Sequence, residues 1–385
     1  MRSNCESSRP SWRGPSPTRV VNASGYMTAL GGSVLAPDVA AAMVTISKSY
    51  LDFPEYKQMA AAHLATLLGV DGVYVTTGAA AAVAIMVAAT VAGSDRNRVA
   101  QLPVANWEPR RILIAMGHAI SFGALVTQMI RLGGGVPVLV GATNGISPAD
   151  FAVAVNSETA AILYVVSHHT HPMTRLPVES VIEVGRQRGV PVLVDAAAEE
   201  DLRRYAMAGA DLVAYSGGKA VNGPTSGLVI GAHPWIDACW AQEEGIARSM
   251  KVGKETVAGL VAAVGTYEER DRNQVGAARA ARTAELKEAL RTLPQVEITT
   301  EWDSFAPDVE RVLIGVRGRQ MSGNALYQRL VAGTPPVMPR YVDPAGRNIA
   351  LDPRALDQDD IPIIRERLAT IFNDCAGDPD LQPTQ

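Results

Sequence analysis

The chain has 385 residues, 47% of them apolar, with a formal charge of −4 and a pI near 5.9. That length suits one large α/β domain with a smaller companion, and the acidic balance implies no broad basic surface of the kind a nucleic-acid partner requires. Cys5, Cys239 and Cys375 are far apart and odd in number, so they form neither a disulfide framework nor a zinc site, a usage that points to a reducing cytoplasm.

Residues 1–18 read as a Ser-, Pro- and Arg-rich disordered tail without the apolar core of a signal peptide. Residues 19–51 form an N-terminal arm. The alanine-rich run 78–93 is shorter than the roughly 20 residues that a bilayer needs, and predicts a buried helix, not a membrane span. Strands are predicted at 73–75, 111–115, 136–140, 160–166, 190–194, 212–215 and 228–230, with helices at 124–132 and 178–188. Near-continuous apolar strands with helical crossovers predict a mostly parallel mixed sheet covered by helices on both faces. This large domain is expected over 52–250. From 251 to 375 the texture becomes that of a smaller α+β domain. It holds one long helical region at 256–293, strands at 296–300 and 312–316, and a last helix at 361–372. Residues 376–385 read as a second tail.

The residues that carry chemistry follow the predicted strands. Ser216-Gly-Gly-Lys219 comes after one strand and before the Gly- and Pro-rich stretch 220–227. A lysine on such a loop reaches a ligand above the sheet edge, where desolvation favours the uncharged amine and Schiff-base chemistry. On its own, the same tetrapeptide is also a common surface turn. Asp195 ends the preceding strand, where a carboxylate faces the ligand crevice of an open α/β sheet. It can hold a pyridinium nitrogen protonated, or simply cap the next helix. An Asp ending one strand and a Lys just after the next is the spacing of a pyridoxal 5'-phosphate (PLP) site. Thr77, Gly78 and Ala79 open the alanine-rich helix, and backbone N–H groups there, with Ser216, suit a phosphate. His118 follows the 111–115 strand and can stack on a ring. Ser167, His168, His169 and His171 follow the 160–166 strand. No acid or cysteine lies beside them, so they predict no metal site. A substrate-side role fits them better, with His169 as general acid or base. Arg340 can bind a substrate carboxylate through its planar fork. Arg248, with Lys251 and Lys254, forms a basic run that is either an anion contact or a solvated face.

Several stretches taken together resemble the selenocysteine synthase-like family of fold-type-I PLP enzymes. They are Val21-Asn-Ala-Ser-Gly-Tyr-Met-Thr-Ala-Leu-Gly-Gly32, Val75-Thr-Thr-Gly-Ala-Ala80, Val190-Pro-Val-Leu-Val-Asp-Ala-Ala-Ala-Glu199, Ser216-Gly-Gly-Lys219, Asn222-Gly-Pro224 and Met250-Lys-Val-Gly-Lys-Glu255. The family includes L-seryl-tRNA(Sec) selenium transferases and D-glucosaminate-6-phosphate ammonia-lyases. The resemblance implies an aspartate-aminotransferase-like fold. It makes Lys219 the Schiff-base lysine and Asp195 the partner of the pyridine nitrogen. It puts Thr77, Gly78, Ala79 and Ser216 at the phosphate and His118 on the ring. It also implies that the segment from Asn22 to Gly32 lies near an active site, and that of the partner subunit is one possibility. In lyase-like members an Arg and a Tyr are expected after the ring histidine. Here the run is His118-Ala-Ile-Ser-Phe122, which points away from a phosphorylated sugar acid. The expected function is therefore α,β-elimination or β-replacement on a small amino acid through a Cα carbanion. Transamination, racemisation or epimerisation, C–C bond formation on the same scaffold, and a non-catalytic PLP-fold binding protein are the alternatives. The expected assembly is a cytoplasmic homodimer or higher homo-oligomer, with no nucleic-acid or membrane partner.

Overall fold

The computed structural model describes residues 14–15, 17–303, 306, 308–319 and 321–376. The two expected tails fall almost wholly outside these residues, as does Cys5. The described residues divide into two compact units, one within 26–277 and 303–308, the other within 14–25, 278–302 and 309–376.

The chain begins with strand β1 (Val21–Ala23) and helices α1 (Pro37–Ser47) and α2 (Phe53–Leu68). Next come β2 (Gly72–Thr76), α3 (Ala79–Ala92), α4 (Arg96–Gln101), β3 (Arg111–Ala115), α5 (Val126–Leu132), β4 (Val136–Val140), α6 (Pro148–Ala154) and β5 (Thr159–Val165). The large unit is completed by α7 (Val178–Arg188), β6 (Val192–Asp195), α8 (Arg204–Met207), β7 (Leu212–Ser216), β8 (Gly227–Gly231), α9 (His233–Ala241) and α10 (Lys254–Glu268). Its seven strands lie in the order β2-β8-β7-β6-β5-β3-β4. β8 runs antiparallel to both neighbours, and the other pairings are parallel.

Both faces of this sheet are covered. Leu113, Ile162, Val194 and Val213 pack with residues of α2, α7 and α10 on one face. Ile112, Leu163, Leu193 and Ala214 pack with α3, α5 and α9 on the other. Each Leu, Ile or Val among these contributes about 1.5–3 kcal/mol by leaving water. α3 is apolar all round because it lies between the sheet on one side and α5 and α9 on the other; its alanines allow close approach. No helix among the described residues is long and apolar enough to cross a membrane.

One predicted helix is two. The region 256–293 breaks after α10, and α11 (Arg272–Arg291) starts afresh. The Asp271 carboxylate accepts the Asn273 N–H at 2.9 Å, a cap that fixes a new helix start. α10 packs on α1 and α2, burying Val257, Leu260 and Val264. The large unit therefore runs to Ala277, whereas the change of texture falls near residue 250. Lys254 donates to the Ser47 carbonyl at 3.4 Å, at the end of α1, a cation at a helix C-terminus.

The small unit adds β9 (Val296–Trp302), β10 (Glu310–Val316), α12 (Gly323–Val331), β11 (Val337–Pro339), β12 (Tyr341–Val342), β13 (Ile349–Leu351) and α13 (Asp360–Ala376). An antiparallel sheet of order β12-β13-β10-β9 and the parallel β1–β11 pair share a core of Leu286, Ile314, Leu326 and Leu368. This is the expected α+β texture.

Candidate active site

The strands that precede candidate residues end at one edge of the large sheet. β3, β5, β6 and β7 are parallel, and β2 runs the same way because β8 opposes both β2 and β7. β3 leads outward to β4, whereas β5 leads inward to β6. The topological switch point therefore lies between β3 and β5, and ligand crevices form outside the carboxyl ends of strands at such points.

Asp195 is the last residue of β6, opposite Val165 of β5 and Ala214 of β7. It is 7% exposed and accepts the Ala197 N–H at Oδ1, at 3.2 Å. Burial pushes its carboxyl up to about 6, against the opposing pull of the Lys219 charge and the Ala197 N–H. Lys219 is half-buried in the turn between β7 and β8. Backbone bonds lock that turn: Asn222 N–H to Lys219 O at 3.0 Å, Gly217 N–H to Ser226 O at 2.8 Å and Gly223 N–H to Gly217 O at 2.8 Å. Ser216 ends β7, and its N–H donates to Ala197 O at 3.2 Å, tying the lysine turn to the loop after Asp195.

Ser216, Gly227 and Thr76 form one row across β7, β8 and β2. A Cβ on Gly227 would lie 2.5 Å from Thr76 Oγ1 and 2.7 Å from the Gly78 carbonyl carbon, so only glycine lets the turn into α3 cross there. Thr76 donates its hydroxyl to Gly78 O at 3.0 Å. Thr77, Gly78 and Ala79 are half-buried beside it. No side chain caps α3, and the first N–H groups of a helix have no partner inside it. The N-terminal arm reaches this site within the same chain. Ser33 donates to Gly223 O at 3.3 Å, and a Cβ on Gly32 would lie 2.7 Å from Gly218 O.

His118 is 1% exposed. Its ring meets Tyr164 edge-on, with centroids 4.6 Å apart and planes at 78°. Nδ1 accepts the Val165 N–H at 3.2 Å, which puts the proton of the neutral imidazole on Nε2. Burial lowers its pKa to about 4; the Thr174 carbonyl opposes this and the Arg175 charge reinforces it. The ring thus packs between the ends of β3 and β5. Ser167 is half-buried, and His168 and His169 are exposed with ring centroids 4.1 Å apart.

Two further predicted residues follow no strand end of the large sheet. Arg248 is exposed on a 3₁₀ turn, Ile246–Met250, that follows α9 and no strand end. Arg340 belongs to the small unit, where it donates to Ser24 O at 2.8 Å. Three contributors carry no assigned role in the sequence analysis. Gly227 and Asn222 (φ +54°) shape the lysine turn, and the Asn222-Gly-Pro224 motif was the available signal. Arg175 ties the histidine loop, and nothing local distinguishes it from a surface arginine. A cavity of about 630 Å³ between α2, β2 and α9 holds none of these residues.

A family model described as L-seryl-tRNA selenium transferase matches residues 20–357. The chain belongs to this family. A 5'-C-glycyluridine monooxygenase-decarboxylase from a Streptomyces species is 40% identical, over 94% of this chain and 91% of its own length. A D-glucosaminate-6-phosphate ammonia lyase from Salmonella typhimurium (strain 14028s / SGSC 2262) is 35% identical, over 93% and 96%. A solved structure of D-glucosaminate-6-phosphate ammonia-lyase superposes with a TM-score of 0.85 at 34% identity, covering 94% of this chain and 97% of that one. The selenium-transferase family assignment agrees with the sequence motifs. The fold-type-I architecture and the expectation of an enzyme of lyase or transferase type hold as well.

Proposed function

We propose that the chain is a PLP-dependent enzyme that removes an α-proton from a small amino acid or amino-acid derivative and expels or replaces a β-substituent. The observation that carries this reading is the desolvated Asp195 carboxyl within reach of the Lys219 charge, on the same sheet edge as the uncapped start of α3. These residues fit the cofactor. The α3 N–H groups, with the hydroxyls of Thr77 and Ser216, suit a phosphate dianion. Asp195 suits a pyridinium N–H, whose charge would compensate its burial. Lys219 would attach the cofactor through its ε-amine. Once bound, the cofactor supplies an electron sink for the α-carbanion.

The remaining steps belong to side chains. Lys219 Nζ would take the α-proton. His169, beside His168 and Ser167, would handle a proton on the leaving group. Arg340 suits the substrate carboxylate by its planar fork, with Arg248 as the second candidate. His118 would serve as a neutral donor at Nε2. Borohydride reduction followed by peptide mapping tests the site. Label on Lys219 is expected, and label on another lysine would defeat it.

The Streptomyces relative favours a second outcome at the same α-carbon, oxidative loss of the carboxylate. A substrate screen that follows ammonia, carbon dioxide and oxygen uptake separates the two: ammonia alone supports elimination, and carbon dioxide with oxygen uptake supports oxidative decarboxylation. We further propose a cytoplasmic homodimer to which the arm up to Leu51 contributes. Val34 and Tyr50 in the arm and Val44 and Met59 on α1 and α2 are exposed apolar side chains that a symmetric contact would cover. Light scattering is expected to give at least a dimer, and a fully active monomer would rule it out.

A further inference from the structure

We propose that Arg175 is a positioning residue that clamps the histidine loop 167–171 at the crevice between β3 and β5, beside His118. The proposal rests on the reading of this sheet edge as the active site. The guanidinium donates from Nε to Thr170 Oγ1 at 2.9 Å, and from one terminal nitrogen to Thr170 O at 2.8 Å and His168 O at 3.0 Å. A planar fork can hold three acceptors at once, and an ammonium on a flexible stem holds them poorly.

Thr170 is the hub of the loop. It is 2% exposed, and its hydroxyl donates to Ser167 O at 2.6 Å. Ser167 Oγ in turn accepts the His169 N–H at 3.2 Å. The loop closes on itself through Thr170, and Arg175 fastens that closure. Further anchors join the loop to the β3 side. His171 N–H donates to Gly117 O at 3.0 Å, and a Cβ on Gly117 would lie 2.2 Å from Thr174 Oγ1. Tyr164 OH donates to Leu176 O at 2.6 Å. The segments after β3 and β5 are thus fastened together at the switch point, with His168 and His169 exposed on them.

The clamp also places a fixed cation near His118. The groups that face that imidazole are Tyr164 on β5 and the Thr174 carbonyl and Arg175 on the following loop, with the His171 N–H bonded to the neighbouring Gly117 O and Asp195 one strand further, opposite Val165. Glu179 of α7 and Arg204 of α8 face Tyr164 from behind. Burial and the Arg175 charge both disfavour the imidazolium, so the same guanidinium that orders the loop helps to keep His118 a donor at Nε2.

Three variants test this: Arg175→Lys, Arg175→Gln and Thr170→Val. The readouts are amide hydrogen exchange over 167–171 and NMR titration of labelled histidines, neither of which needs cofactor or substrate. Exchange in the loop is expected to rise about tenfold or more in all three, as local opening becomes easier. The His118 titration is expected to move upward by roughly half a unit or more in Arg175→Gln alone, because Arg175→Lys and Thr170→Val keep the cation. Thr170→Val keeps the test open if the Arg175 variants fold poorly. Unchanged exchange in both Arg175→Lys and Thr170→Val overturns the clamp. Equal movement of His118 in all three variants also overturns it, since that marks a general loss of structure. A borohydride label away from Lys219 would instead sink the active-site reading and leave the clamp measurements standing.

Discussion

Asp195→Asn is expected to stabilise the cofactor-free protein at neutral pH. Burial raises the Asp195 carboxyl from 3.8 to about 6, in spite of Lys219 and the Ala197 N–H. The folded state therefore binds this proton more tightly than the unfolded state does. At pH values below 3.8 the carboxyl is protonated in both states and the shift costs nothing. Between 3.8 and about 6 stability falls as pH rises, and above about 6 the full cost is present. A rise of roughly two pH units corresponds to about 3 kcal/mol. Asparagine keeps the shape, and an acceptor for the Ala197 N–H, without the charge. Urea unfolding of cofactor-stripped wild type and variant across this range measures the difference. We expect the variant to gain about 3 kcal/mol near pH 8 and almost nothing near pH 4. A gain that is absent, or the same at every pH, would refute the picture of a desolvated carboxylate. With cofactor restored, the variant should lose carbanion chemistry by roughly 100-fold or more, the scale of one preorganised electrostatic partner.

Gly227→Ala should displace the turn into α3 and weaken PLP binding about tenfold or more, read by spectroscopic titration. Unchanged affinity would move the phosphate elsewhere. Arg340→Lys keeps the charge and loses the fork, so KM should rise with kcat and bound PLP retained; an unchanged KM points to Arg248 instead. Asp352 is fully buried and paired with Arg311 Nε at 3.1 Å and an Arg354 terminal nitrogen at 2.6 Å. Burial alone would raise its pKa, but the Arg354 bonds and charge, with the charges of Arg311 and Arg340, hold it low. Asp352→Asn should cost roughly 3–5 kcal/mol. The wild-type advantage should persist above pH 3.8 and fade only as pH falls through the depressed folded value. A loss under about 1 kcal/mol by denaturant titration would contradict this ion cluster.

The sequence by itself determined the sheet strands, the buried alanine helix and the placement of Asp195 and Lys219 just beyond two of those strands. Strands covered on both faces must be apolar throughout, so 111–115 and 212–215 announce themselves locally. Asp195 and Lys219 are legible because each sits one step beyond such a strand, and the chain direction alone puts them on one edge. The break at Asp271 was missed because a capping Asp inside a helical pattern looks like any surface acid. Only the tertiary structure decided how His118 and Arg175 are used. That His118 is 1% exposed and meets Tyr164 edge-on follows only from how the β3 and β5 ends pack. Arg175 draws its role from Thr170 and His168, whose carbonyls point at it only once the loop has turned. The row of Thr76, Gly227 and Ser216 depends on strand order, in which β8 inserts between β2 and β7. Sequence spacing carries no information about that insertion, because pairing between distant strands is settled by how the whole sheet buries its two faces.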